Sequence, residues 1–228
     1  MWPEANSVLQ GPPRTSNLSM TRLPRLYAIL DSQYFTARET LLSAAEDLSR
    51  ARVLLMQYRN KRSDAATTLN EARQLRERLL DANRVTPPRL IMNDRADLCL
   101  AAEYDGVHVG QEDLFAEAAR KIVGPDRWVG VSTHNPAQVA KADQTSADYI
   151  AIGPVFRTFT KANPDPVIGP DGVRQARALT RKPLVAIGGV TRQNCLSIIE
   201  AGADSVAVIS DLLRDPEKSA EEFLRILG

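Results

Sequence analysis

Short apolar runs recur along the chain, separated by longer segments in which apolar residues return every three or four positions. The runs are Leu26–Leu30, Val53–Met56, Arg89–Met92, Gly106–Val109, Trp128–Val131, Tyr149–Ile152, Leu184–Ile187 and Val206–Ile209. Each ends abruptly in polar residues or glycine, and the runs themselves do not alternate. Continuous apolar runs of this length predict strands buried on both faces. The intervening segments predict helices over about 36–50, from a cap at Ser63 or Asp64 to about 83, near 96–102, over 114–123, from Pro136 onward, over about 170–180, from a Thr191 cap to 201, and over about 216–227.

Eight strand–helix alternations predict an α/β chain folded as a single (β/α)8 barrel. An open doubly wound sheet is the alternative. It is disfavoured because Asp31-Ser32-Gln33 stands after the first strand, where a dinucleotide-binding glycine fingerprint would be expected. The 228 residues suit one such domain, taken as 23–228. Residues 1–22 hold Pro3, Pro12, Pro13 and several small polar residues, and are expected to form a poorly ordered N-terminal extension.

Composition narrows the partners. Lys and Arg number 29 against 28 Asp and Glu, a formal charge of +1. A nucleic-acid binder needs a basic excess to neutralise phosphates, so none is expected. No apolar run reaches membrane-spanning length, and the N-terminus lacks a charged start followed by an apolar block. Cys99 and Cys195 lie in apolar helical patterns without metal-ligand spacing, which suits packed thiols in a reducing cytoplasm.

The polar residues that carry chemistry collect at C-terminal strand ends, which in a barrel form one rim. They are Gln57, Arg59 and Lys61; Asn93 and Asp94; Asp113; Ser132; Thr158, Thr160 and Lys161; Gly188 and Gly189; and Ser210. The stretch Gly153–Lys161 places two hydroxyls and an ammonium on a long loop, about 153–169, after the sixth strand. That set suits a phosphate or diphosphate. Gly188-Gly189 would let backbone approach an anion, and Ser210–Leu213 would open a short helix with N–H groups facing the rim. Arg59 and Lys61 put two cations on one loop, facing the same side if it is extended. Asp94 and Asp113 end adjacent strands and suit a hard cation such as Mg2+. General acid–base chemistry and simple helix capping are the alternatives for these two. His108 within the fourth strand reads as a barrel-lining residue, and His134 lies nearer the rim.

Six ordered segments resemble the thiamine-phosphate synthase family: Gln57–Lys61, Leu90–Arg95, Asp105–Asp113, Gly130–His134, Gly153–Phe156 with Thr158–Lys161, and Ala186–Val190. The resemblance covers residues 24–228. It implies a (β/α)8 transferase that joins a hydroxymethylpyrimidine diphosphate to a thiazole phosphate, giving thiamine phosphate and diphosphate. Carried over by position, Gln57, Arg59, Lys61, Asn93, Ser132 and Lys161 would bind the pyrimidine diphosphate. Arg59, Lys61 and Lys161 would be catalytic, stabilising the leaving group. Asp94 and Asp113 would bind Mg2+. Thr158, Phe159, Thr160, Gly189, Ile209 and Ser210 would hold the thiazole phosphate. Asn60, where an acidic residue is common, and Phe159 between two threonines depart from the usual pattern. The resemblance implies small phosphorylated substrates and a cytoplasmic enzyme, and leaves a homo-oligomer open. A thiazole tautomerase-like isomerase and a non-catalytic thiamine phosphate-binding protein are the competing readings.

Overall fold

Alternation along each strand decides what faces the barrel axis and what faces the helices. One apolar cluster holds Tyr27, Ile29, Leu55, Ile91, Trp128, Tyr149, Ala151, Val185 and Ala207 and fills the barrel interior. A second, larger cluster takes the opposite positions, such as Leu26, Ala28, Met56, Met92, Val107 and Ile150, together with the inner faces of the helices. The computed structural model that shows this describes residues 23–81, 86–158 and 165–228. The expected N-terminal extension, the end of the second helix and residues Phe159, Thr160 and Lys161 lie outside the described residues.

The strands are β1 (Leu26–Asp31), β2 (Leu55–Arg59), β3 (Arg89–Asn93), β4 (Gly106–Val109), β5 (Trp128–Thr133), β6 (Tyr149–Ile152), β7 (Leu184–Ile187) and β8 (Ser205–Val208). All pair in parallel, in sequence order, and β8 returns to β1 to close the barrel. The helices are α1 (Arg38–Arg50), α2 (Ala65–Asp81), α3 (Ala96–Ala101), α4 (Ala116–Val123), α5 (Pro136–Asp143), α6 (Gly169–Leu179), α7 (Cys195–Glu200) and α8 (Pro216–Leu227). The (β/α)8 expectation therefore holds. Both cysteines are buried. Among the described residues no helix is long and apolar enough to cross a membrane.

Three local expectations are corrected, and one alternative is decided. The second strand runs Leu55–Arg59 rather than 53–56, because Gln57 and Arg59 are polar residues at interior positions near the mouth and break the apolar run. Asp64, not Ser63, caps α2, with its Oδ1 accepting from the Thr67 N–H at 2.8 Å. Thr191 does not cap α7: a turn intervenes, closed by the Asn194 and Cys195 amides on the Thr191 carbonyl, and the helix starts at Cys195. Residues Ser210–Leu213 form one hydrogen-bonded turn, with Leu212 and Leu213 donating to the Ile209 carbonyl, instead of a helix.

The end of the barrel away from the mouth is fastened by a repeated device. Asp105, Asp148 and Asp204 stand just before β4, β6 and β8. Their carboxylates accept from the Leu90, Val129 and Leu184 N–H groups at 2.8, 2.6 and 2.8 Å. Their own N–H groups donate to the carbonyls of those same three residues. Each aspartate thus clips the start of an even strand to the odd strand before it. Arg120 also pairs with Asp148. Asp148→Ala leaves the Val129 N–H without its acceptor and the Arg120 guanidinium with only backbone carbonyls, and is expected to cost about 1–3 kcal/mol. Urea denaturation measures this, and Asp148→Asn, which keeps an acceptor oxygen, should recover part of it. Turnover per folded molecule should be unchanged, because this end is opposite the mouth.

Candidate active site

The interior positions change character toward the C-terminal strand ends. Below, they are apolar; at the mouth the same parity brings Asp31, Gln57, Arg59, Asn93, His108 and Ser132. Register sets who meets whom. Asp31 lies opposite Arg59 across β1 and β2, and Asn93 opposite His108 across β3 and β4.

Asp31 is buried, with only 1% of its surface exposed, and Arg59 Nη1 donates to its carboxylate. Gln33 adds two further bonds to Asp31, from its N–H and from Nε2, both at 3.1 Å. Arg59 is thereby anchored at the mouth, partly exposed. Lys61 lies beyond the strand and pairs with Asp94 instead. The two cations are thus not a same-sided loop pair: Arg59 belongs to the strand, and each cation is fixed by a different carboxylate.

Asp94 sits at φ +61°, a left-handed position uncommon for a residue with a side chain. Its N–H donates to the His108 carbonyl at 2.7 Å. Burial is the largest influence on the Asp94 carboxyl and raises its pKa. The Lys61 ammonium opposes this, and the Asp113 carboxyl, within hydrogen-bonding reach, raises it again. Asp113 Oδ2 also accepts from the Gly110 N–H at 2.9 Å. Two facing carboxyls, one of them pushed upward, form an oxygen donor set that a hard divalent cation would relieve. No group of three or more His, Cys, Asp or Glu gathers around a metal position among the described residues. The pair therefore fits Mg2+ only with ligand or water oxygens completing the shell, which is the usual manner of that ion.

A line of buried polar side chains crosses the barrel beneath these charges. Gln57 Nε2 donates to Tyr27 Oη at 2.8 Å, and Tyr27 Oη lies 3.0 Å from Tyr149 Oη. Tyr149 Oη lies 3.0 Å from His108 Nδ1, and His108 Nε2 lies 2.9 Å from Ser132 Oγ. Burial drives the His108 pKa down to about 4, so the ring is neutral near pH 7. Gly130 makes the contact feasible. It stands between His108 and Tyr149 in the register, and a Cβ there would lie 2.1 Å from Tyr149 Cζ and 2.5 Å from His108 Nδ1. His108 thus lines the barrel as expected, and it also reaches a site residue.

On the far side of the mouth, Gly189, Ile209 and Ser210 lie just beyond β7 and β8, and Thr158 lies in the loop after β6. Val155 and Phe156 donate to the Ile187 and Gly188 carbonyls, both at 2.9 Å, so the loop after β6 is laid along the end of β7. Gly188 and Gly189 have φ of 99° and 65°. A Cβ on them would strike Pro154 Cα at 2.6 Å and the Arg157 carbonyl oxygen at 2.5 Å. The glycine pair therefore seats this loop, a role additional to the anion approach expected from the sequence. His134 Nδ1 lies 2.7 Å from the Gly153 carbonyl oxygen and 3.5 Å from Asp165, holding the loop's two ends. Asn60 has a structural role: its amide donates to Glu71 at 3.1 Å and to Tyr58 at 3.1 Å, where an acidic residue would face the Glu71 carboxylate.

Sequence reasoning placed Gln57, Arg59, Lys61, Asn93, Asp94, Asp113 and Ser132 on one rim, and the structure brings them together there. It missed Asp31, Tyr27 and Tyr149. The available signal was parity: Tyr27, Ile29 and Asp31 share one face of β1, so a carboxylate ends an otherwise apolar interior row.

Residues 26–212 match the family model described as thiamine monophosphate synthase. The chain is 54% identical over 211 residues to the thiamine-phosphate synthase of Koribacter versatilis, an alignment covering 90% of this chain and 97% of that one. It is 36% identical over 202 residues to the thiamine-phosphate synthase of Shouchella clausii, covering 88% and 94%. Among solved structures, the thiamine phosphate pyrophosphorylase from Pyrococcus furiosus superposes with a TM-score of 0.77 at 29% identity, covering 89% of this chain and 95% of that one.

Proposed function

The chain belongs to the thiamine monophosphate synthase family, a family of transferases in thiamine biosynthesis, and on that footing we propose how its mouth performs the condensation. The observation that carries the reading is the convergence of two separately anchored cations, two facing carboxyls and a buried hydroxyl line at one end of the barrel.

Gln57, Arg59, Lys61, Asn93, Ser132 and Lys161 bind the pyrimidine diphosphate. Thr158, Phe159, Thr160, Gly189, Ile209 and Ser210 hold the thiazole phosphate. Asp94 and Asp113 hold Mg2+, which when bound neutralises charge on diphosphate oxygens. The bond between the methylene carbon and the diphosphate oxygen breaks first, and the electron pair leaves with the diphosphate. Arg59, Lys61 and Lys161 stabilise that growing charge, Arg59 and Lys61 from anchored positions. The aminopyrimidine ring spreads the positive charge left on the methylene carbon. The thiazole nitrogen then supplies the pair that forms the new bond. Every atom of the leaving group departs as diphosphate, and no protein nucleophile takes part. The chain's contribution is to align two substrates and to hold charges before they are needed.

The direct test supplies both phosphorylated precursors with Mg2+ and follows diphosphate release together with thiamine phosphate. Equal amounts of the two are expected. Binding of either precursor without product would favour a binding protein, and turnover of the thiazole phosphate alone would favour an isomerase.

A further inference from the structure

The line from Gln57 to Ser132 has a direction, because each hydroxyl has one hydrogen to give. Gln57 Nε2 donates to Tyr27 Oη, so the Tyr27 hydrogen is free for Tyr149 Oη, the other polar atom bonded to it. Tyr149, having accepted, passes its own hydrogen to His108 Nδ1. That nitrogen must then be bare, which puts the imidazole hydrogen on Nε2, facing Ser132 Oγ at 2.9 Å. Ser132 accepts it and is left with its own hydrogen. Gln111 Nε2 donates to the Ser132 carbonyl at 2.5 Å and fixes the backbone on which the hydroxyl turns. The opposite direction needs Gln57 to accept from Tyr27 through a turned amide, and it would leave Ser132 with no hydrogen to offer outward.

We propose that Tyr27, Tyr149 and His108 are positioning residues that make the Ser132 hydroxyl an obligate donor to an acceptor atom of the pyrimidine diphosphate, either a ring nitrogen or a diphosphate oxygen. The proposal rests on the reading of Ser132 as a contact to that substrate, and says which way the contact is polarised. The device is built into the barrel. His108, Gly130 and Tyr149 are register neighbours on three successive strands, and the missing side chain in the middle is what lets the outer two meet.

Two measurements test it. The chain has only two histidines, so nitrogen-15 correlation spectra of the imidazoles are assigned with a single His134→Gln variant. His108 should show a bare Nδ1 and a protonated Nε2; the reverse tautomer overturns the proposal. Second, His108→Leu and Ser132→Ala should each weaken pyrimidine diphosphate binding about tenfold, the loss of one good hydrogen bond. The double variant should lose no more than either single one, because both cut the same line. Losses that add would overturn the proposal, as a packing role for His108 gives that result. Tyr149→Phe keeps the ring and removes one hydroxyl. If His108→Leu fails to fold, this variant carries the same cycle, with a smaller loss that again vanishes in the Ser132→Ala background. His108→Gln, whose amide can still donate to Ser132, should restore most of the binding.

Inorganic diphosphate separates the two acceptors. Parallel weakening of its binding assigns the hydrogen to a phosphate oxygen; unchanged binding assigns it to the pyrimidine ring. If Ser132→Ala binds both ligands as the parent does, the substrate contact itself is wrong and the proposal falls with it, whatever the tautomer. Failure of the condensation assay with the tautomer and cycle as expected would instead leave the polarised contact standing and remove the reaction.

Discussion

Arg59→Ala is expected to lower turnover by about 10²–10³-fold, the scale on which a preorganised donor to developing negative charge acts. The effect has two parts that separate cleanly. One is lost stabilisation of the departing diphosphate. The other concerns the protein alone: Asp31 is buried, and removing Arg59 leaves its carboxylate with only the Gln33 donors. Breaking one side of a buried pair costs about 3–5 kcal/mol, and the surviving Gln33 bonds, together with the partial exposure of Arg59, place this case toward the lower end. Adding Asp31→Asn removes the stranded charge. The double variant should therefore regain stability in chemical denaturation while its turnover stays low. Turnover within a few-fold of the parent in Arg59→Ala would show that this guanidinium faces no reacting group.

The second large effect concerns the metal. Asp94→Ala and Asp113→Ala should each raise the Mg2+ concentration needed for half-maximal turnover by at least about tenfold, since even outer-shell changes at metal sites reach that size. Calorimetric titration of Mg2+ in the presence of inorganic diphosphate gives the same comparison without turnover. The two variants should differ in one respect. Lys61 is bound to Asp94 and not to Asp113, so only Asp94→Ala also releases that ammonium. Its affinity for diphosphate without metal should rise, while that of Asp113→Ala should change less. Unaltered metal titrations in both would assign the facing carboxyls to proton exchange instead of cation binding.

Much of this architecture could be read before any coordinates. The limits of β4, β6, β7 and α8 coincide with the apolar runs and helical spacing that predicted them. Those strands carry apolar or small residues throughout, or one histidine, so the run and the strand are the same object. β2 was misread for the opposite reason, as its last interior positions are Gln57 and Arg59. The described rim residues were legible as strand-end positions, and their partners were not. Asp31 acquires its role from the register between β1 and β2, and Tyr149 meets Tyr27 across 122 positions of chain. Neither relation leaves a local pattern. The glycine pair after β7 shows the converse: its signal was plain, while its role in seating the neighbouring loop depends on where that loop returns.

The aspartate clips at the closed end bear on how such a barrel can be taken apart. They join β3 to β4, β5 to β6 and β7 to β8, and the first pair is joined at the mouth by Asp31 and Arg59. A ring fastened two strands at a time has natural seams between its quarters. Segments exchanged with another barrel should therefore begin at an odd strand and carry the following even strand with them. Grafts cut inside a quarter would separate a carboxylate from the amide it was placed to hold. The first quarter is the exception to free exchange, because its fastening is also the anchor of the arginine proposed to stabilise the leaving group.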